Sequence, residues 1–177
     1  MIKAVAFDFV GVFVKENSFP LDAVEQVLER KFGVINTDEA FLKWATVETG
    51  LSREILEQKV KHIVQNLYDI REPDIFNKLP KLKFSTATNH LSYLDEWFKT
   101  IPVSKYFDFL VNSANIGFQK PEMAFYNTLI KVISEAPEDI LFLDDDLENC
   151  VAAEKSGLKT VHFQRGMVLS ATIFKEL

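Results

Sequence analysis

Five short apolar runs constrain this chain most: Ile2 to Phe9, Leu82 to Thr86, Phe107 to Val111, Ile140 to Leu143, and Thr160 to Phe163. None alternates cleanly between apolar and polar residues, so each reads as a strand buried on both faces. Four of them are set among helical patterns, which is the signature of a parallel sheet with crossover helices. Pro121 to Ile133 places Phe125, Leu129 and Val132 along one helical face, with Pro121 in the first turn. Leu147 to Ser156 reads as a helix stopped at Gly157. His90 to Thr100 and Leu169 to Leu177 read as two more. The expected architecture is α/β, a Rossmann-like three-layer sandwich with a mostly parallel sheet.

The stretch from Phe19 to Leu79 breaks this rhythm. It holds no convincing strand, and its periodicity is helical. Helices are expected from Pro20 to Phe32, from Thr37 to Thr49 with Thr37 as cap, from Ser52 onward, and from Pro73 to Lys78. Residues 1–18 and 80–177 would therefore form one α/β core domain. Residues 19–79 would form an all-helical insertion between its first two strands. A chain of 177 residues with 47% hydrophobic content can bury such a core.

The formal charge is −6 and the pI about 5.1, with no clustered Lys and Arg. That speaks against a nucleic-acid partner. A single cysteine, Cys150, excludes a disulfide framework. No apolar run approaches the ~20 residues of a membrane span, and the amino-terminal residues lack the long apolar region of a signal peptide. The expectation is a soluble cytoplasmic protein without a membrane partner.

In an open α/β sheet, ligands bind outside the carboxyl ends of the strands, near a switch in strand order. The polar residues at those ends are therefore the ones to weigh. The first strand ends in Asp8, and the second runs into Ser85-Thr86-Ala87-Thr88-Asn89. The fourth ends in Asp144-Asp145-Asp146, with Asn149 a turn further on, and Lys120 precedes Pro121 at a helix start. These residue types suit phosphoryl transfer. A carboxylate can attack phosphorus. Clustered Asp oxygens favour a hard cation such as Mg²⁺, which with a lysine would neutralise the transferring group. A hydroxyl and free backbone N–H groups can hold phosphate oxygens. The acidic triplet also suits the start of the helix at Leu147, and capping and metal binding are compatible.

In order and placement these segments resemble the haloacid dehalogenase-like hydrolase superfamily. Phe7-Asp8-Phe9-Val10-Gly11-Val12 resembles its first motif, and Phe84 to Asn89 the second. Gly117-Phe118-Gln119-Lys120-Pro121-Glu122 resembles the third. Leu141 to Asn149, then Ala152-Ala153 and Gly157, resembles the fourth. The insertion occupies the place of the family's small helical cap. The resemblance implies Asp8 as nucleophile and magnesium ligand, Val10 as a ligand through its main-chain carbonyl, and Asp145 as the acidic metal ligand. Asp144 would reach the metal directly or through water. Lys120 would bridge nucleophile and phosphate. Thr86 is implied as the phosphate-binding hydroxyl, with Thr88 as its rival, and Asn89 as a further substrate contact.

Two residues depart from the family pattern. Phosphatases of the superfamily usually carry a second Asp two residues after the nucleophile, where this chain has Val10. Relatives often place Asn after the second-motif hydroxyl, where Ala87 follows Thr86. The leading expectation is a Mg²⁺-dependent phosphatase of a small phosphorylated metabolite, working through an aspartyl-phosphate on Asp8 and slowed by Val10. The alternatives are a catalytically weak domain that binds a phosphorylated ligand or a protein, and a metal-independent dehalogenase.

Overall fold

The computed structural model describes all 177 residues. Five strands form one parallel sheet: β1 (Ala4–Phe7), β4 (Lys83–Thr88), β5 (Phe109–Asn112), β6 (Ile140–Asp144) and β7 (Lys159–His162). Their order is β5-β4-β1-β6-β7. From β1 the chain steps outward through β4 to β5, then crosses back to lay β6 on the other side of β1. The switch in direction therefore falls between β1 and β6, which is where an open sheet leaves a crevice at its carboxyl edge.

Strand alternation divides the core in two. Val5, Phe7, Leu141 and Leu143 face one apolar cluster, while Ala4, Ala6, Ile140 and Phe142 face the other. The second cluster is closed by Phe125, Tyr126, Leu129 and Ile133 of α7 (Met123–Ile133) and by Ala153 of α8 (Leu147–Lys155). Small alanines on that face of β1 let α7 and α8 pack close. The first cluster holds Phe98 of α5 (Tyr93–Phe98), Leu169 and Ile173 of α9 (Leu169–Phe174), and much of the chain's phenylalanine. Phe13, Phe98 and Phe107 pack as edge-to-face pairs with centroids 5.0–6.2 Å apart.

The insertion carries α1 (Ala23–Glu29), α2 (Asp38–Thr49) and α3 (Arg53–Leu67). Each has a side-chain N-cap. Asp22 forms a capping box with Glu25, and Thr37 and Ser52 accept from the N–H three residues on. Leu28, Phe41, Leu42, Leu56, Val60 and Ile63 are buried and belong to the same apolar cluster as Val5 and Phe7. Insert and sheet thus share one continuous interior.

The all-helical expectation for residues 19–79 is corrected after Leu67. Tyr68–Ile70 forms β3, which pairs antiparallel with β2 (Val14–Glu16) in a separate two-stranded ribbon. The two crossings between core and insertion are thereby hydrogen-bonded to each other. Three residues are too few to show a period of two, so the strand is invisible to sequence periodicity. Beyond it, Glu72 accepts from the N–H and hydroxyl of Ser170 on α9, so the segment with α4 (Ile75–Lys78) packs on the core. No helix is long and apolar enough to cross a membrane.

Candidate active site

β1 and β6 run in register, Phe7 beside Leu143, and the Asp8 N–H donates to the Leu143 carbonyl at 2.7 Å. The next residue on each strand is a carboxylate, so the switch point receives Asp8 and Asp144 side by side. Lys120 lies between them. Its Nζ is 2.8 Å from Asp8 Oδ1 and 2.6 Å from Asp144 Oδ2. All three residues are buried. Such an ion triad is strongly coupled, since low surrounding polarity leaves each charge dependent on the others.

Further bonds fix each member. Asn149, one turn into α8, donates to both Asp144 oxygens at 3.1 and 3.2 Å, and the Asp146 N–H donates to Asp144 Oδ1. The Phe9 N–H donates to Asp8 Oδ1 at 2.7 Å. Oδ1 thus takes both the ammonium and a main-chain donor, which leaves Oδ2 as the oxygen with neither. Asn89 holds Lys120 by its backbone: Asn89 Nδ2 donates to the Lys120 carbonyl at 2.9 Å, and the Lys120 N–H donates back to Asn89 Oδ1 at 2.8 Å.

Asp145 completes an acidic group. One oxygen from each of Asp8, Asp144 and Asp145 lies within 4.8 Å of the others. Gly11 (φ +96°) makes room for it, since a Cβ there would stand 2.6 Å from Asp145 Cγ. Three carboxylates beside one lysine leave the ionised site with surplus negative charge. Burial, opposed by Lys120 and reinforced by Asp144, pushes the Asp8 carboxyl up to about 8. Burial and then Asp144 also raise Asp145. A cluster of hard oxygens that resists ionisation on its own is chemically suited to a divalent cation.

A cavity of about 290 Å³ opens over this group, lined by Asp8, Val10, Thr88, Asn89, Lys120 and the acidic residues 144–146, with Asn149 behind them. The acidic triplet divides its labour, with Asp144 and Asp145 in the cluster and Asp146 capping α8 through the Glu148 N–H. Thr86 and Thr88, the two rival hydroxyls, differ in where they sit, and Thr86 lies within the sheet. Its Oγ1 accepts from the Val111 N–H at 3.0 Å, inside the sheet, and it does not line the cavity. β4 continues in pairing to Thr88 beside Asn112, two residues past the expected end. Thr88 therefore stands at the strand end, with Asn89 directly after it. Asn89 lines the cavity, while both ends of its amide bond Lys120.

Sequence reasoning missed the Gly11 cradle and the Asn89–Lys120 pair, because both depend on chain segments far apart in sequence. It also gave no role to Arg71, which donates to the carbonyls of Gly11 and Val12 at 2.7 and 2.9 Å. His90 is buried against Phe32 and Tyr68, and desolvation lowers it to about 4, so it is a neutral core residue.

Insert residues meet the core at this same edge. A Cβ on Gly33 would stand 2.7 Å from the Asn89 carbonyl, and Asp38 accepts from the Ser92 N–H at 2.9 Å.

Among curated proteins, the chain is 31% identical to sesquiterpene phosphatase astK of Aspergillus oryzae over 114 residues, 64% of this chain and 47% of the relative. It is 32% identical to mouse bifunctional epoxide hydrolase 2 over 90 residues, 47% and 16% of the two. The match to drimenol cyclase drtB of Aspergillus calidoustus is 37% over 59 residues, 33% and 11%. The chain thus spans less than half the length of these relatives. Among solved structures, a HAD family enzyme of Bacteroides thetaiotaomicron, in complex with magnesium and inorganic phosphate, superposes with a TM-score of 0.72. The match is at 20% identity and covers 97% of this chain and 99% of that one. The L-2-haloacid dehalogenase of Xanthobacter autotrophicus superposes with 0.73 at 17% identity, covering 97% and 81%. At these identities the superpositions show a common fold. The family model described as haloacid dehalogenase-like hydrolase matches residues 5–163, and with that match the chain belongs to the haloacid dehalogenase-like hydrolase family.

Proposed function

We propose that this hydrolase is a Mg²⁺-dependent phosphatase of a small phosphorylated metabolite, acting through an aspartyl-phosphate on Asp8. The observation that carries the reading is the Lys120 ammonium held between Asp8 and Asp144, with Asp145 completing the acidic group. Asp8, Asp145 and the Val10 main-chain carbonyl would hold the cation, with Asp144 beside them. Bound there, Mg²⁺ supplies positive charge to the transferring phosphoryl group.

Asp8 Oδ2 attacks phosphorus, and the bond from phosphorus to the ester oxygen breaks. Lys120 holds Asp8 Oδ1 and offsets charge on the phosphoryl oxygens. Thr88, rather than Thr86, donates its hydroxyl to the phosphate. Asn89 keeps Lys120 in place through its backbone. Water then attacks the acyl phosphate, releasing inorganic phosphate and restoring the Asp8 carboxylate. Val10 can neither protonate the departing alkoxide nor activate that water, so the first step is slow for poor leaving groups and the second is slow for every substrate.

The helical insertion acts as a cap over the strand ends, which its Gly33 and Asp38 contacts support. The metal-independent dehalogenase reading is disfavoured, since that chemistry has no use for three gathered carboxylates. Val10 favours the second reading, a weakly catalytic domain that binds a phosphorylated ligand.

The test is phosphate release from a panel of aryl, sugar and sesquiterpene phosphates, with Mg²⁺ and with excess chelator. Mg²⁺-dependent release that Asp8→Asn abolishes, without change in circular dichroism, is the expected result. Full activity in chelator would remove the cation, and retained activity in Asp8→Asn would remove the nucleophile.

A further inference from the structure

Arg71 is the first residue after β3, where the chain returns from the insertion. Its three donors meet three successive carbonyls. Nη2 donates to Gly11 at 2.7 Å, Nε to Val12 at 2.9 Å, and the backbone N–H to Phe13 at 3.0 Å. It makes no ion pair with any carboxylate, so its charge is directed at main-chain oxygens. A planar fork with fixed donor spacing can hold two neighbouring carbonyls at once, which an ammonium cannot.

The loop it grips is the one that carries Val10. The Gly11 N–H donates to the Val14 carbonyl at 3.0 Å. In a trans peptide the Val10 carbonyl points opposite to that N–H. Arg71 holds the carbonyls of the next two peptide planes. Gly11 is closely flanked, since a Cβ there would stand 2.6 Å from Asp145 Cγ. The guanidinium carbon also sits 5.4 Å from the Phe163 ring centroid, and the Phe163 N–H donates to the Asp144 carbonyl at 2.8 Å. One side chain therefore holds the loop after β1 directly and reaches the end of β6 through Phe163, the residue just after β7.

We propose that Arg71 is a positioning residue for the cation site, setting the aim of the Val10 carbonyl and the seat of Asp145 from the return strand of the insertion. This rests on the reading that the acidic group holds Mg²⁺.

The experiment is calorimetric titration of the intact protein with Mg²⁺, for wild type, Arg71→Met, Arg71→Lys and a control, Arg53→Met. Arg53 is exposed and pairs only with Glu39 and Glu57. Arg71→Met is expected to weaken Mg²⁺ at least tenfold. Arg71→Lys, which keeps the charge but not the fork, should weaken it several-fold, and the control should be unchanged. In turnover the Arg71 defect should appear chiefly as a raised Mg²⁺ requirement that excess Mg²⁺ largely relieves, which a general loss of stability would not produce. A folded Arg71→Met that binds Mg²⁺ like wild type overturns the proposal. If that variant does not fold, wild-type affinity in Arg71→Lys overturns it instead. Absence of Mg²⁺ binding in the wild type would remove the cation reading itself, and the positioning role with it.

Discussion

At the carboxyl ends of β1 and β6, Asp8, Lys120, Asp144 and Asn149 are buried, and each is bonded to another of the four. In the insertion the arrangement is reversed. Its interior is mostly apolar, built on Phe41, Leu56, Val60 and Ile63, with Glu25 of the α1 capping box its one buried charge, and charges such as Arg53, Glu39 and Glu57 pair on the surface. Exposed pairs contribute ~0–1 kcal/mol each, so the insertion is held by burial and by its caps. The strand ends are held by a charge network that is costly to break at any member. The site spends stability on chemistry, whereas the insertion tolerates change at its surface and not in its core.

The largest expected effect sharpens that contrast at the site. Val10→Asp should accelerate steady-state turnover by up to the ~10²–10⁴-fold of general acid–base catalysis, most for alkyl phosphates, whose leaving groups need a proton. Equal rates for the two proteins on alkyl phosphates would mean that another group already supplies it.

Removing the cation of the triad comes next. Lys120→Met leaves buried carboxylates without their partner and should cost about 3–5 kcal/mol in urea unfolding. A variant as stable as wild type would show that the network is less dependent on its charge than its burial implies.

The corresponding change in the insertion is Phe41→Ala, which empties a fully buried site packed against Phe32 and Trp44. About 3 kcal/mol is expected. Because insertion and sheet share one apolar cluster, the loss should appear as a single lowered transition. Two separate transitions would mean that the insertion unfolds on its own and that the shared interior does not couple the regions.

The smallest effect concerns pH. Asp8 is raised to about 8 in the fold, so between its unfolded value and pH 8 the native state binds more protons than the unfolded one. Stability should fall as pH rises through that window. His90, lowered to about 4, works in the opposite sense below its ordinary value of 6.5 and is level above it. In chelator, the urea midpoint should therefore drop from pH 6.5 to pH 8, and saturating Mg²⁺ should flatten the drop. A midpoint that rises over this range would contradict the burial assigned to Asp8.

The sheet was legible because its strands are unbroken apolar runs. Three segments of the site were legible because strand ends expose polar residues where apolar ones would otherwise continue, and Lys120 was legible from its place before Pro121 at a helix start. The limit of β4 was not. Ala87 and Thr88 fall past the run that ends at Thr86, yet both are buried within the sheet, and the hydroxyl at the cavity is Thr88. Asn89 follows Thr88 directly, the order relatives often show after the second-motif hydroxyl. The helices of the insertion were legible from their period and caps, whereas β3 was too short to announce itself. Arg71 and Gly11 act only through distant segments, the guanidinium on the loop after β1 and the glycine beneath Asp145. No local pattern could have named them.

The most direct measurement of the central claim is to trap the intermediate. Protein with Mg²⁺ and an aryl phosphate carrying labelled phosphorus is quenched in acid, digested and mapped. Label is expected on the peptide that contains Asp8, accumulating because Val10 leaves water attack without a base, and absent in Asp8→Asn and in chelator. Phosphate release with no label on Asp8, or with label on another residue, would contradict an aspartyl-phosphate at this position.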